Sequence, residues 1–193
     1  SCRYDYVIPQ EVIDIPRLGT YGMHPGALPD LQGLCSPFRA MEHGNERSGC
    51  TLFHLDAGLD TGPIVEIGWW PIAYGRSLLW NFVHTYFAGI DTLLRHLPAL
   101  EAGRELTTRR QSTEGRQYFS YPTETEFRSF TQKVAPLVLA EDYYEILSWF
   151  LQYLHNSSEM FPASSDSLPS MLFFSGDFFY RLNQCFFLFL VFM

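Results

Sequence analysis

Residues 21–29 of the chain read YGMHPGALP, and residues 58–63 read GLDTGP. The first stretch alternates large apolar residues with a glycine, a period of two that predicts a short buried strand ending at His24. Two prolines flank a glycine immediately afterwards, so residues 25–29 are predicted to form a rigid loop rather than regular structure. That loop fixes the direction in which the imidazole of His24 points.

A helix and two further strands are predicted between and beside these stretches. Ser36 and Pro37 indicate the start of a helix, with serine as the N-cap and proline at the first helical position. Residues 50–55 and 63–67 are each strand-like, and the glycine-containing loop between them indicates a hairpin. Asp60 therefore lies in a loop between two strands, where its side chain can reach a cleft.

Longer helices follow. Residues 77–100 carry apolar side chains at helical spacing, with Ser77 as N-cap, and residues 141–154 form a second such pattern. Residues 107–130 are polar and are predicted to be irregular. Four histidines on helices or at helix ends are predicted to be surface residues: His43, His84, His96 and His155.

The chain changes character near its end. Residues 156–170 are rich in serine and proline, which is typical of a linker, and residues 170–193 are mostly aromatic or aliphatic. The uninterrupted apolar run, residues 185–193, is shorter than the roughly 20 residues that a membrane helix needs. We expect this tail to lie outside the native domain and not to span a membrane; a terminal membrane anchor is the alternative.

Composition argues against several classes of partner. The formal net charge is −8, so the chain lacks the overall positive field that draws a protein to DNA or to an anionic membrane. No two of the four cysteines stand in a CxxC spacing, which argues against a zinc knuckle or a redox motif. No signal peptide is visible, and we expect a cytoplasmic protein with free thiols.

His24 and Asp60 are the candidate catalytic pair. A histidine beside a carboxylate suits general acid–base chemistry near neutral pH. Taken alone, however, a histidine at a strand end is commonly a satisfied polar residue, and a Gly-x-Asp-x-Gly sequence is commonly a turn. A metal site built from His24, His54 and Asp60 is a further alternative that the spacing does not require, and we predict no metal.

Five blocks, in order, carry a resemblance to a known family. They are His24-Pro25-Gly26-Ala27-Leu28-Pro29, Gln32-Gly33, Pro37, Ser48-Gly49-Cys50-Thr51 and Gly58-Leu59-Asp60-Thr61-Gly62-Pro63. Together they resemble the formyltransferases, which move a formyl group from 10-formyltetrahydrofolate to methionyl-tRNA, glycinamide ribonucleotide or amino sugars. The resemblance covers roughly residues 4–111.

The resemblance implies an α/β, Rossmann-like formyltransferase domain lacking its first βα units, with a C-terminal helical extension. Residues 1–111 would then be the C-terminal part of the catalytic domain. Residues 112–155 would be the helical extension, and residues 156–193 the linker and hydrophobic tail. Because half of a parallel sheet would expose an apolar edge, poor folding of the isolated chain is also expected.

The same resemblance assigns roles to residues. His24 would stabilise the oxyanion of the tetrahedral intermediate, and Asp60 would orient His24 and assist proton movement from the attacking amine. The substrate and folate cleft would be lined by Gly22, Pro25, Gly26, Leu28, Pro29, Gly58, Leu59, Thr61 and Gly62. The sequence departs from the family at two of these positions: Gly22 replaces an asparagine that donates to the formyl oxygen, and Gly26 replaces a serine.

The function so implied is formyl transfer from 10-formyltetrahydrofolate to a primary amine, without a metal. A small-molecule amine is favoured over tRNA, because the segment after Gln111 is short and does not resemble a tRNA-binding domain. Because Gly22 removes one oxyanion donor, the alternatives are a catalytically impaired binding module and a truncated gene product.

Overall fold

The protein follows a mixed α/β plan in a computed structural model that describes residues 8–112 and 114–160. In chain order the elements are α1 (Gln10–Ile13), β1 (Tyr21–His24), β2 (Gln32–Gly33), α2 (Ser36–Glu42), β3 (Arg47–His54), β4 (Ile64–Pro71), α3 (Leu78–Glu101), β5 (Tyr118–Phe119), α4 (Glu124–Lys133) and α5 (Ala140–Met160). His24, Asp60 and the residues around them lie in the first of two compact units, which ends at Ser148.

The main sheet has three strands in the order β1-β3-β4, and both pairings are antiparallel. β3 is the central strand, and residues 48–53 are buried in succession because the strand is covered on both faces. The predicted strand ending at His24 and the predicted β3–β4 hairpin are confirmed. Within the described residues the parallel pairing is the short one between β2 and β5, so the sheet that carries the site is antiparallel.

Helix α3 packs directly on this sheet, and glycines permit the close approach. A Cβ atom on Gly89 of the helix would lie 2.3 Å from Sγ of Cys50 in β3. A Cβ atom on Gly68 of β4 would lie 2.2 Å from the carbonyl oxygen of Ala88. Both distances are well inside van der Waals contact, so any larger residue at either position would push the helix away from the sheet.

The prediction that residues 107–130 are irregular is wrong, because this segment contains β5 and the start of α4. Thr123 and Glu126 form a capping box at the start of α4: each side chain bonds the backbone N–H of the other residue. On the inner face of α4, Phe130 stacks on Phe38 of α2 with ring centroids 4.4 Å apart. The outer face of α4 is polar, so the composition of the segment does not indicate a helix.

The N-terminus of α3 is held by a buried polar cluster. The predicted N-cap, Ser77, is confirmed: its side chain accepts from the N–H of Trp80. Asp142 of α5 is fully buried and accepts from both the N–H and the hydroxyl of Ser77, at 2.7 and 2.5 Å, and also from Arg76. Burial alone would raise the pKa of Asp142, but these hydrogen bonds outweigh it and lower that pKa.

The surface prediction for His84 is wrong. Its ring lies between those of Trp70 and Trp80, with centroid distances of 4.4 and 4.1 Å, and its Nδ1 donates to the carbonyl of Trp80. Because α3 covers the sheet, the face that carries His84 turns inward. Burial lowers the pKa of His84, and the positive charge of Arg76 lowers it further.

Helix α5 continues to Met160, into the segment that was predicted to be a linker. The hydrophobic tail predicted beyond it lies outside the described residues, as does the side chain of His155. Among the helices that the structure describes, none has the length and apolar character needed to cross a membrane.

Candidate functional site

The structure brings His24 and Asp60 together. His24 ends β1, and Asp60 lies in the loop between β3 and β4; Nδ1 of His24 is 3.5 Å from Oδ2 of Asp60. The His24 side chain is 6% exposed and that of Asp60 is 23% exposed. The imidazole is therefore buried, and the carboxylate is the partly exposed member of the pair.

The second ring nitrogen of His24 fixes the tautomer. Nε2 lies 2.7 Å from the carbonyl oxygen of Leu31, and because a carbonyl can only accept, Nε2 carries a hydrogen. The Ser36 hydroxyl lies 3.1 Å from the same Nε2 and donates to the same carbonyl. The ring is thus anchored on one side, and its Nδ1 faces Asp60 on the other.

Ser36 differs from its predicted role as a helix N-cap. That position belongs to Cys35, whose φ of 57° lies in the left-handed region, and Ser36 is the first residue of α2. Its hydroxyl is directed into the site rather than to the helix backbone, because His24 and the Leu31 carbonyl lie within reach. Sequence analysis missed this contact, since a Ser-Pro pair at a helix start has the same appearance in either case.

The loop after His24 is held tightly, as predicted. Thr51 of β3 donates to the carbonyl of Gly26 at 2.6 Å and accepts from the N–H of Leu28 at 3.1 Å. A Cβ atom on Gly26 would lie 2.5 Å from Nε2 of His24 and 2.7 Å from Cβ of Ser36. A serine at position 26 therefore has no room here, and the hydroxyl next to His24 is that of Ser36.

The Asp60 loop is a tight turn. Oδ1 of Asp56 accepts from the N–H of Gly58 at 3.0 Å and from the Thr61 hydroxyl at 2.6 Å. A Cβ atom on Gly62 would lie 1.8 Å from a backbone oxygen of β3, so only glycine fits this close approach. Leu59 points outward and is 53% exposed, which leaves it free to contact a ligand.

Leu28 lies apart from the other predicted cleft residues. It is 3% exposed and packs in the core with Phe53 and Ile64. The two prolines of the loop, Pro25 and Pro29, are half-buried.

Gly22 leaves no vacant space for a larger side chain. A Cβ atom at this position would lie 2.8 Å from Cδ2 of Leu55 and 3.0 Å from the ring of Phe53. These two side chains fill the volume into which an asparagine would project. Position 22 therefore supplies no side-chain donor, and its neighbours have closed over it.

The alternative metal set does not come together. In the part of the chain that the structure describes, no three histidine, cysteine, aspartate or glutamate side chains are grouped as a metal site would require. His54 instead packs edge-on against Tyr21 at 5.3 Å, and its Nδ1 donates to the carbonyl of Leu55.

Comparison with known proteins decides the family. Residues 2–76 match the formyl transferase family. The methionyl-tRNA formyltransferase of Halorhodospira halophila is 34% identical over 125 residues, which are 64% of this chain and 39% of that protein. That of Ralstonia pickettii is 30% identical over 168 residues, 87% of this chain and 47% of that protein. The matched part of the chain, residues 2–76, belongs to the formyltransferase family. The chain spans less than half the length of these relatives.

Solved structures confirm the α/β fold of this chain. The formyltransferase PseJ from Anoxybacillus kamchatkensis superposes with a TM-score of 0.59 at 17% identity, covering 68% of each chain. HypX from Aquifex aeolicus, solved with tetrahydrofolic acid, gives a TM-score of 0.56 at 19% identity, over 65% of this chain and 21% of that chain. At such low identity these two matches establish the shared fold alone.

Proposed function

We propose that this chain transfers a formyl group from 10-formyltetrahydrofolate to a primary amine, with Asp60 and His24 at the reaction centre. The observation that carries the proposal is the 3.5 Å approach of the Asp60 carboxylate to Nδ1 of His24, at a partly exposed position in a formyltransferase fold. A carboxylate and an imidazole so placed can move a proton between substrate atoms.

The acceptor amine attacks the formyl carbon, so a new C–N bond forms and the formyl oxygen becomes an oxyanion. Asp60 takes the proton that the attacking nitrogen loses. A proton on Nδ1 of His24 stabilises the oxyanion, because Nε2 is already bonded to Leu31 and only Nδ1 faces the reacting groups. The intermediate collapses when the bond to the folate nitrogen breaks, and that nitrogen takes up the proton that Asp60 accepted, which gives tetrahydrofolate and restores the Asp60 carboxylate.

Two features support a folate as the donor. Two exposed apolar side chains are adjacent in sequence to Asp60 and to its hydrogen-bond partner Gly33: Leu59 is 53% exposed and Leu34 is 50% exposed. Apolar side chains of this kind suit the flat ring of a pteridine. Two similar structures, PseJ and HypX, were solved with tetrahydrofolate and tetrahydrofolic acid respectively. The chemistry needs no metal, since each proton moves between named groups.

For the acceptor we favour a small-molecule amine over tRNA. A net charge of −8 works against the polyanionic backbone of tRNA. PseJ was solved with a UDP-linked formamido sugar, whereas the relatives matched in sequence are methionyl-tRNA formyltransferases. Both acceptor classes therefore belong in the same assay.

A second candidate is a folate-binding module without turnover, and Gly22 favours it. Loss of one oxyanion donor lowers a rate by about 10²–10³-fold. Such a module would bind tetrahydrofolate through the same cleft, yet transfer the formyl group too slowly to detect.

Formyl transfer can be measured by the release of tetrahydrofolate, with amino sugar nucleotides and methionyl-tRNA as parallel acceptors. We expect transfer to an amino sugar nucleotide, and its loss in Asp60→Asn, which keeps the shape of the side chain but removes the base. Asp91→Asn is the matched control, since Asp91 is exposed on α3. Activity that survives Asp60→Asn undiminished would show that the catalytic assignment is wrong.

A further inference from the structure

The backbone of Asp60 adopts an unfavourable conformation. Its φ of 55° lies in the left-handed region, where residues other than glycine are uncommon and where strain is often associated with function. An aspartate tolerates this region better than most residues, but something must hold it there.

Two side-chain amides hold it. Nε2 of Gln32, a residue of β2 that is 2% exposed, donates to the carbonyl oxygen of Asp60 at 2.8 Å. Nε2 of Gln111 donates to the same oxygen at 2.9 Å and to that of Gly62 at 2.7 Å. Two donors use both lone pairs of the Asp60 carbonyl, so the peptide plane is fixed from two directions.

The carboxylate of the same residue is fixed through β2. Its Oδ2 accepts from the N–H of Gly33 at 3.0 Å. That N–H is turned toward Asp60 because the bonds from β2 to the β5 segment are made by its neighbours: the N–H of Gln32 donates to Gln117 and that of Leu34 to Phe119. Rotation of the Asp60 peptide would therefore withdraw the carboxylate from Gly33.

Gln111 reaches the loop because its own segment is attached to β4. Arg109 and Ile64 exchange two backbone hydrogen bonds, at 2.7 and 2.8 Å, and so bring the chain that follows α3 alongside the Asp60 loop. The segment after α3 thus completes the surroundings of Asp60.

We propose that Gln32 and Gln111 are positioning residues, whose amides hold Asp60 in the left-handed conformation that aims its carboxylate at His24. The inference rests on the proposed function, because the position of Asp60 affects a rate only if Asp60 takes part in formyl transfer. Neither glutamine touches the reacting atoms; both act through Asp60.

Hydrogen exchange in the full chain tests the geometry without an activity assay. Gln111→Met and Gln32→Met keep the length of the side chain and remove the donor. In each variant we expect the protection factor of the Gly33 amide to fall about tenfold, which corresponds to the loss of one hydrogen bond. The protection factors of the β3 amides should not change. Gln10→Met is the matched control, because Gln10 lies on the surface and bonds only locally to Asp14.

Kinetics test the consequence. Each variant is expected to lower kcat by about 10–100-fold, the effect of a displacement of about 1 Å, with the KM for 10-formyltetrahydrofolate unchanged. A general loss of stability would instead lower the protection of β3 as well. If that happens, Gln111→Asn is measured in place of Gln111→Met, because it keeps an amide on a shorter side chain. We expect it to lower the protection of the Gly33 amide and to leave that of β3 unchanged.

Unchanged protection of Gly33 in both methionine variants overturns the proposal. So does a loss of protection without a fall in kcat, since the position of Asp60 would then not limit the reaction. If the native chain transfers no formyl group at all, the proposed function fails, whereas the exchange at Gly33 still decides whether the two amides hold Asp60.

Discussion

An asparagine introduced alone at position 22 should destabilise the fold. The same asparagine combined with a smaller residue at position 55 should raise the rate of formyl transfer. The Cβ of Gly22→Asn would lie 2.8 Å from Cδ2 of Leu55 and 3.0 Å from the Phe53 ring, and the amide would project further into the same volume. Overpacking of this kind destabilises a fold by about 1–3 kcal/mol. Leu55 is the half-buried member of the pair, so the double change Gly22→Asn/Leu55→Ala gives the amide room.

The gain in rate follows from the role of the donor. One oxyanion donor is worth about 10²–10³-fold in rate, so the double variant should exceed Leu55→Ala by that factor in single-turnover formyl transfer. Denaturant unfolding of the unaltered chain, the two single variants and the double variant shows whether a change in rate comes from a change in stability. A folded double variant that reacts no faster than Leu55→Ala would refute the reasoning that position 22 limits the rate.

Three further perturbations test other parts of the structure. Asp142→Ala leaves the N–H and hydroxyl of Ser77 buried without their acceptor, at about 1–3 kcal/mol each, and urea unfolding should show a loss of about 2–5 kcal/mol. The lowered pKa of His84 favours its neutral form in the fold, so its contribution to stability is full above the unfolded value near 6.5 and declines as the pH falls below it. His84→Phe should therefore flatten the dependence of unfolding free energy on pH between about 7 and 5; an unchanged slope would contradict this. Ser36→Ala removes a hydroxyl 3.1 Å from Nε2 of His24 and should lower kcat without changing the affinity for tetrahydrofolate, as titration of its binding can show.

Local signals predicted much of the fold. The alternation before His24, the glycine loop around Asp60 and the helical spacing from Ser77 onward each depend on neighbours in sequence, and each element was found where it was predicted. Helix α4 also had a local signal, the Thr123-x-x-Glu126 capping box, but its polar outer face concealed it. The polar composition of this segment does not predict α4, whereas the capping box does.

The supports of the candidate site could not be predicted in this way. The contact of Ser36 with His24, and those of Gln32 and Gln111 with Asp60, join residues brought together only by packing of the chain. The two-residue pairing of β2 with β5 is equally non-local. Likewise, His84 lies on a helix whose buried face depends on how α3 meets the sheet. Such features follow from tertiary structure, and sequence spacing carries no signal for them.

The central claim is that Asp60, held against His24, performs proton transfer during formyl transfer. The most direct measurement compares Asp60→Asn with the unaltered chain in two readouts: the Kd for tetrahydrofolate and the single-turnover rate of formyl transfer. We predict an unchanged Kd and a rate lower by at least about 10²-fold, the lower end of the usual effect of a general base. An unchanged single-turnover rate in the folded variant would contradict the claim.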